Sequence, residues 1–248
     1  APGLLQSVRF ESGELVFLGR DLRTERFRLR MGESDLALEA RVQDWTALAF
    51  ADTVRTARAE FDVRSALLDL DALLGVPDSA LYSKLLFARM ADREIDGRTV
   101  AEVAEEAGFG LPPLPPMELE GRVRAWQFRR NGLELHDVDM RLRGRGDRIE
   151  LTDARFQFMG GGVQIAGQVG LPVPVSGEDE GEPARIGYPT VLTYQLQDVG
   201  AAPFFDRFTP FREHLSGALL MAGTARVVLD EHLLPVRESL VAEGSIAV

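Results

Sequence analysis

Hydrophobic and polar residues alternate with a period of two along most of the chain, the spacing that sends successive side chains to opposite faces of a strand. Met117, Leu119, Gly121, Val123 and Ala125 alternate with Glu118, Glu120, Arg122, Arg124 and Trp126, which predicts one oily and one charged face. The same rhythm runs through Leu36 to Val42 and through Asp137 to Arg143. Further strands are predicted over Phe27 to Met31, Ala57 to Val63, Arg148 to Phe158, Val163 to Leu171, Thr190 to Leu196, Leu219 to Leu229 and Leu240 to Val248. Strands with a single apolar face are expected to be antiparallel, because parallel strands are usually covered on both sides.

The breaks in the pattern agree with a sheet. Asn131-Gly132 is a hairpin signal, and Gly144-Arg145-Gly146-Asp147 separates two alternating runs, so its RGD tripeptide reads as turn chemistry. The apolar phase shifts around His136, which predicts a bulge or turn there. Phe158 to Val169, FMGGGVQIAGQV, has P-loop glycine spacing at Gly162 and Gly167. Gln168 and Val169 stand where the lysine and hydroxyl belong, however, and a strand rather than a helix follows, so these glycines read as hairpin and close-approach positions.

Helical patterns interrupt the strands. Leucine spacing predicts a helix over Ser65 to Gly75, Ala80 to Met90 reads as another, and Thr99 with Glu102 forms a capping box opening a helix to Gly108. Ala201 to Leu215 places Phe204, Phe205, Phe208 and Phe211 on one side, with Pro210 ending or kinking the helix. Leu111 to Pro116 (LPPLPP) reads as a stiff linker, and Ser176 to Pro183 (SGEDEGEP) as a solvated acidic loop. The organisation is a strand-rich repeat with a closing helix over 1–76, a helical insertion and Pro-rich linker over 77–116, and a second strand-rich repeat over 117–248. The fold class is mainly β with short helices (α+β): an elongated, curved antiparallel sheet forming a groove, with helices capping its apolar face.

Composition narrows the chemistry. The 248 residues are 45% hydrophobic, enough for a sizeable core, and the net charge of −11 disfavours nucleic acid and anionic membrane surfaces. Lys84 is the sole lysine, so arginine carries the cationic role and can pair bidentately with carboxylates across strand faces. Without cysteine there are no disulfides or thiolate sites, and His136, His214 and His232 make no metal-ligand pair. No G-x-S-x-G elbow occurs. The expectation is a protein that is not an enzyme and that uses no metal and no cofactor. No run reaches eighteen apolar residues and no basic n-region opens the chain, so these residues carry neither a membrane span nor a signal peptide. Lacking an initiator Met and entering the pattern at once, they read as a piece of a longer chain.

GLELHDVDMRLRGRGDRIELTDARFQFMGGGVQIAGQVGL (Gly132 to Leu171) reads as paired strands, a glycine turn, another strand and a double glycine before the next. YPTVLTYQLQDVGAAPFFDRF (Tyr188 to Phe208) follows as a strand and a short helix with bulky apolar residues, and the segment through Val248 closes on a strand holding Gly244. In this order the features resemble the C-terminal region of the AsmA-like family, relatives of TamB-type bridge-like proteins of the bacterial envelope. Phe10 to Arg20 and Ala57 to Gly75 look like an earlier copy of the scheme. The resemblance implies a curved β-groove in the periplasm, tethered to the inner membrane by a segment these residues lack, and a role in phospholipid transport between membranes. The implied partners are a phospholipid or other acyl-chain lipid and other envelope proteins, with no nucleic acid. The groove lining expected from the apolar strand phases is Leu119, Val123, Met140, Leu142, Leu151, Val163, Ile165, Leu192, Tyr194, Leu196, Met221 and Val227. The alternative is a scaffold for outer-membrane biogenesis without lipid cargo.

Overall fold

A computed structural model describes residues 8–49, 56–73, 84–85, 88–89, 93–106, 117–130, 132–146, 148–171, 173–175, 185–208, 216–230 and 234–247. They form a mainly β fold with twelve strands in one open sheet: β1 Val8–Leu18, β2 Asp21–Met31, β3 Ser34–Gln43, β4 Ala57–Asp69, β5 Met117–Arg130, β6 Leu133–Arg145, β7 Arg148–Phe158, β8 Gly161–Gly170, β9 Val173–Val175, β10 Arg185–Gly200, β11 Ala218–Asp230 and β12 Val241–Ala247. The order follows the sequence from β1 to β12, except that short β9 lies off the path and pairs with β10. Among the described strands β1 and β12 lie at the two ends of the order. Short helices accompany the sheet, among them α1 Trp45–Ala49, α2 Leu70–Leu73, α3 Val100–Glu106 and α4 Ala201–Phe208.

All neighbours along the path are antiparallel, as the single-faced patterns predict, with one exception: β4 and β5 run parallel. Their register extends from Ala57 opposite Met117 to Asp69 opposite Arg129, so both strand-rich segments share one sheet. A parallel pair cannot be joined by a tight turn, and the chain between β4 and β5 is the crossover it requires. The helix predicted over Ser65 to Gly75 is corrected: β4 continues to Asp69, and the helix is only Leu70–Leu73. Pairing overrides propensity here. Ser65, Leu67, Leu68 and Asp69 register with β5 on one side. On the other side the Asp35 carboxylate accepts from the Ala66 and Leu67 amides at 2.9 Å each, and Ser34 Oγ accepts from Asp69 N.

The turns follow the sequence signals. Between β7 and β8, Met159 and Gly160 both take left-handed backbone conformations (φ 49° and 84°), a two-residue hairpin closed by Phe158 opposite Gly161. A Cβ on Gly161 would lie 2.4 Å from the main chain of Gln197 to Val199, whereas one on Gly162 would meet nothing within 4 Å. The bulge expected near His136 is present, with Asp137 at φ 51° and a register shift between His136 and Asp139. Comparable shifts fall near Gly13, Arg26 and Asp198. Asn131, Asp147, His214, His232, the LPPLPP linker, the acidic Ser176 to Pro183 loop and most of Ala80 to Met90 lie outside the described residues, as does the predicted helix beyond Phe208.

Three small clusters of buried apolar residues hold the sheet. Leu68, Ala125, Phe128 and Val138 pack at its centre. Phe158, Val163, Leu196, Val199, Ala201 and Leu219 pack with Phe204 and Phe205 of α4. In the crossover, the Thr99–Glu102 capping box forms as predicted, with Thr99 N donating to Glu102 Oε2 (2.8 Å) and Glu102 N to Thr99 Oγ1 (3.2 Å). Val100, Val103 and Ala104 of α3 then pack with Leu85, Ala88 and Leu234, which follows β11. Arg89 also pairs with the buried Asp230 at 2.5 Å. From β5 to β11 is five strand spacings, about 24 Å across a sheet at ~4.8 Å each. The crossover between β4 and β5 is thus tied to the far half of the sheet.

Two outcomes follow from this packing. Gly161→Ala should cost about 2 kcal/mol, because the main chain beside it cannot withdraw, while Gly162→Ala should stay within about 0.5 kcal/mol; urea denaturation of the two variants checks the difference. Asp230→Ala leaves Arg89 half-buried without that carboxylate and frees the Leu234 amide that Asp230 Oδ1 accepts at 2.9 Å. Amide exchange across Val100–Glu106 should then quicken by a factor on the order of ten, with β6 to β8 unchanged by the same measurement.

Candidate functional site: the two faces of the sheet

Register places all twelve expected lining residues on one face, in four adjacent rows. Leu119 lies opposite Gly144, and that row continues through Ile149, Val169 and Thr190 to Val227. The next runs from Gly121 through Leu142, Leu151, Gly167 and Leu192 to Ala225. Val123, Met140, Ala154, Ile165 and Tyr194 form the third, and Val163, Leu196 and Met221 lie in the fourth. The twelve are therefore one contiguous apolar surface across β5 to β11. It continues over β4 through Ala59, Phe61 and Val63, which register with Leu119, Gly121 and Val123. At the far edge, Phe10 and Phe17 of β1 stand more than half exposed opposite Leu29 and Leu22.

Coverage of this face is uneven. Val163 and Leu196 are buried, and Ile165, Tyr194 and Met221 pack with them beside Phe204 and Phe205 of α4. Val123 and Met140 pack against the central cluster. Leu119, Leu142, Leu151, Leu192 and Val227 belong to none of the three clusters and remain partly exposed. These five form a strip perpendicular to the strands, with the α4 cluster on one side and the crossover's anchor at Asp230 and Leu234 on the other.

The opposite face is a lattice of charge. One row reads Glu39, Asp62, Arg122, Arg141 and Asp153 across β3 to β7. Its neighbour reads Arg41, Glu60, Glu120, Arg143 and Glu150. Arg124 Nη2 donates to both carboxylate oxygens of Asp62 at 2.9 and 2.7 Å, Arg122 pairs with Asp139, and Arg58 reaches Glu118 at 2.6 Å. Burial raises the Asp62 carboxyl, but the hydrogen bonds and positive charges of Arg124 and Arg64 together outweigh it and hold the group below the ordinary carboxylate range. At Asp139 the hydrogen bond from Arg122 outweighs burial, with the same net direction.

The clefts open on this charged face. One, of about 1110 Å³, is lined by residues of β2 to β6 that include Glu39, Glu60, Glu120, Arg122, Arg141 and Arg143. A second of about 630 Å³ surrounds Trp126, which is 66% exposed. Along the sequence these charges read as solvated pairs and the clefts do not stand out; the available signal is a tryptophan on the polar phase of a strand. His136 is exposed and lies 3.2 Å from Glu134. Among the described residues no group of three or more His, Asp or Glu side chains could hold a metal ion, and no helix is long and apolar enough to cross a membrane. No family model matches the chain, and no curated protein or solved structure matches it either.

The depressed carboxyls set a pH dependence. Asp62 and Asp139 have folded-state values below their unfolded ones, so their contribution is complete above about pH 4 and is lost as pH falls through the folded values. Both are partly exposed, which limits each to about 1 kcal/mol. Asp62→Asn with Asp139→Asn should lower stability at neutral pH and flatten its decline below about pH 4, as read from urea midpoints across that range.

Proposed function

We propose that the apolar face of the sheet holds acyl chains of a phospholipid or similar lipid, and that the protein is a non-enzymatic lipid-holding or lipid-conducting module. The observation that carries this reading is the strip of Leu119, Leu142, Leu151, Leu192 and Val227, partly exposed and aligned in two adjacent rows across β5 to β11. Because it crosses strands rather than following one, a chain lying along it meets apolar side chains for about 24 Å. Transfer of each methylene from water contributes about 0.8 kcal/mol, so a dozen suffice for capture without a charged clamp. Such a surface selects for acyl chains and is indifferent to the headgroup.

The resemblance of Gly132 to Phe208 to AsmA-like proteins supports the same reading. On it, the chain is a periplasmic part of an envelope protein tethered to the inner membrane, its face forming a groove for lipid passing between membranes. A scaffold for outer-membrane biogenesis without cargo would use the same fold with the strip as a protein contact.

Native mass spectrometry and lipid extraction of the purified chain should recover phospholipid. A photo-crosslinking residue at Leu142 or Leu192 should capture it, whereas one at Arg141 on the charged face should not. Recovery of no lipid, with no cross-link from either strip position, would overturn the proposal in favour of the scaffold.

A further inference from the structure

We propose that the cleft around Trp126, on the charged face, binds a neutral saccharide. The site lies on the side of the sheet opposite the apolar strip and does not depend on the lipid reading.

Trp126 continues the polar phase of β5 after Glu118, Glu120, Arg122 and Arg124, and at 66% exposure it is the most exposed large hydrophobic residue described. The strand distorts here: Asp137, on the neighbouring strand, sits at φ 51° within the β6 bulge. Bulges re-aim side chains, and strained backbone at a cleft is where function concentrates. Ala37 also lines the cleft, a small residue in a row that otherwise runs through Arg28, Arg64, Arg124 and Asp139. It leaves a depression of about 630 Å³ beside the indole, within the range of small-ligand sites.

The polar lining selects the ligand. Four arginines and four carboxylates border the cleft, so its formal charge is balanced and an ion gains no net attraction. The chain's net charge of −11 further disfavours nucleic acid as the molecule stacking on Trp126. Part of the hydrogen-bonding capacity is unspent. Arg28 and Asp137 form no ion pair with another described residue. Donors and acceptors side by side match hydroxyls, each of which both donates and accepts. The apolar C–H face of a pyranose ring fits the electron-rich face of an indole. A neutral ligand that is hydroxylated at its rim and apolar on its ring face is a sugar.

The fluorophore for the test is built in. Trp45→Phe leaves Trp126 as the sole tryptophan of the full chain. Titration with maltopentaose, cellopentaose and chitopentaose should give a saturable change in its emission with at least one of them. By calorimetry with that sugar, Trp126→Ala should bind about tenfold or more weakly, and Trp126→Tyr, which keeps an aromatic platform, should recover part of the affinity. A flat response to all three sugars, affinity unchanged in Trp126→Ala, or a response to single-stranded oligothymidylate alone would overturn the proposal.

Discussion

The parallel pairing of β4 with β5 is the contact on which the rest of the molecule depends. It is the only parallel pair among the described strands, and among them it is the one strand pairing that joins the four N-terminal strands to the remainder. The row Glu39, Asp62, Arg122 and Arg141 crosses it without interruption, as does the apolar row through Phe61 and Gly121. Both large clefts straddle it, since each draws residues from β3 and from β5. Breaking this seam would divide the apolar face and open the charged lattice at once.

A sheet with one apolar face needs something to cover that face, and here the cover is assembled from small pieces. The ring of Phe61 lies over Gly121, where a Cβ would come within 2.3 Å of it, so part of the surface is shielded by side chains leaning along the sheet. Phe204 and Phe205 of α4 shield another part, and α1 and α2 pack against β4 and β5. The hydrophobic contribution is thereby spread thinly over many strands instead of being concentrated in one thick core. A one-residue slip of any strand would exchange its two faces, so the contrast between the apolar face and the rows of Arg and carboxylate specifies register.

Strand identity and facing were legible because the alternation is strong: from β5 to β11 the apolar phases of the strands share one face. What the pattern hid has physical causes. β1 and the first half of β2 lose their rhythm at Gly13 and Arg26, where register shifts break the period of two. Leu67 and Leu68 mimic helical spacing because β4 changes phase there, and the Asp35 carboxylate that satisfies its amides lies thirty residues away in sequence. Parallel pairing left no mark, since alternation records which face a side chain occupies and not which way its neighbour runs. The clefts were illegible for a related reason: each charge is ordinary alone, and only the stacking of rows from strands far apart in sequence sets Trp126 beside Ala37 and Arg28.

The linear order from β1 to β12 also bears on how such a protein can change size. A closed barrel fixes its strand number, because every strand is needed to complete the ring. An open ladder whose neighbours follow the sequence has no such closure condition. The seven residues of β12 are all exposed and, among the described residues, pair on one side only, with β11. A hairpin added beyond them would inherit the existing register and extend both faces by the same spacing, leaving every earlier pair in place. The width of this surface, and so the span it covers, scales with chain length as a ruler does.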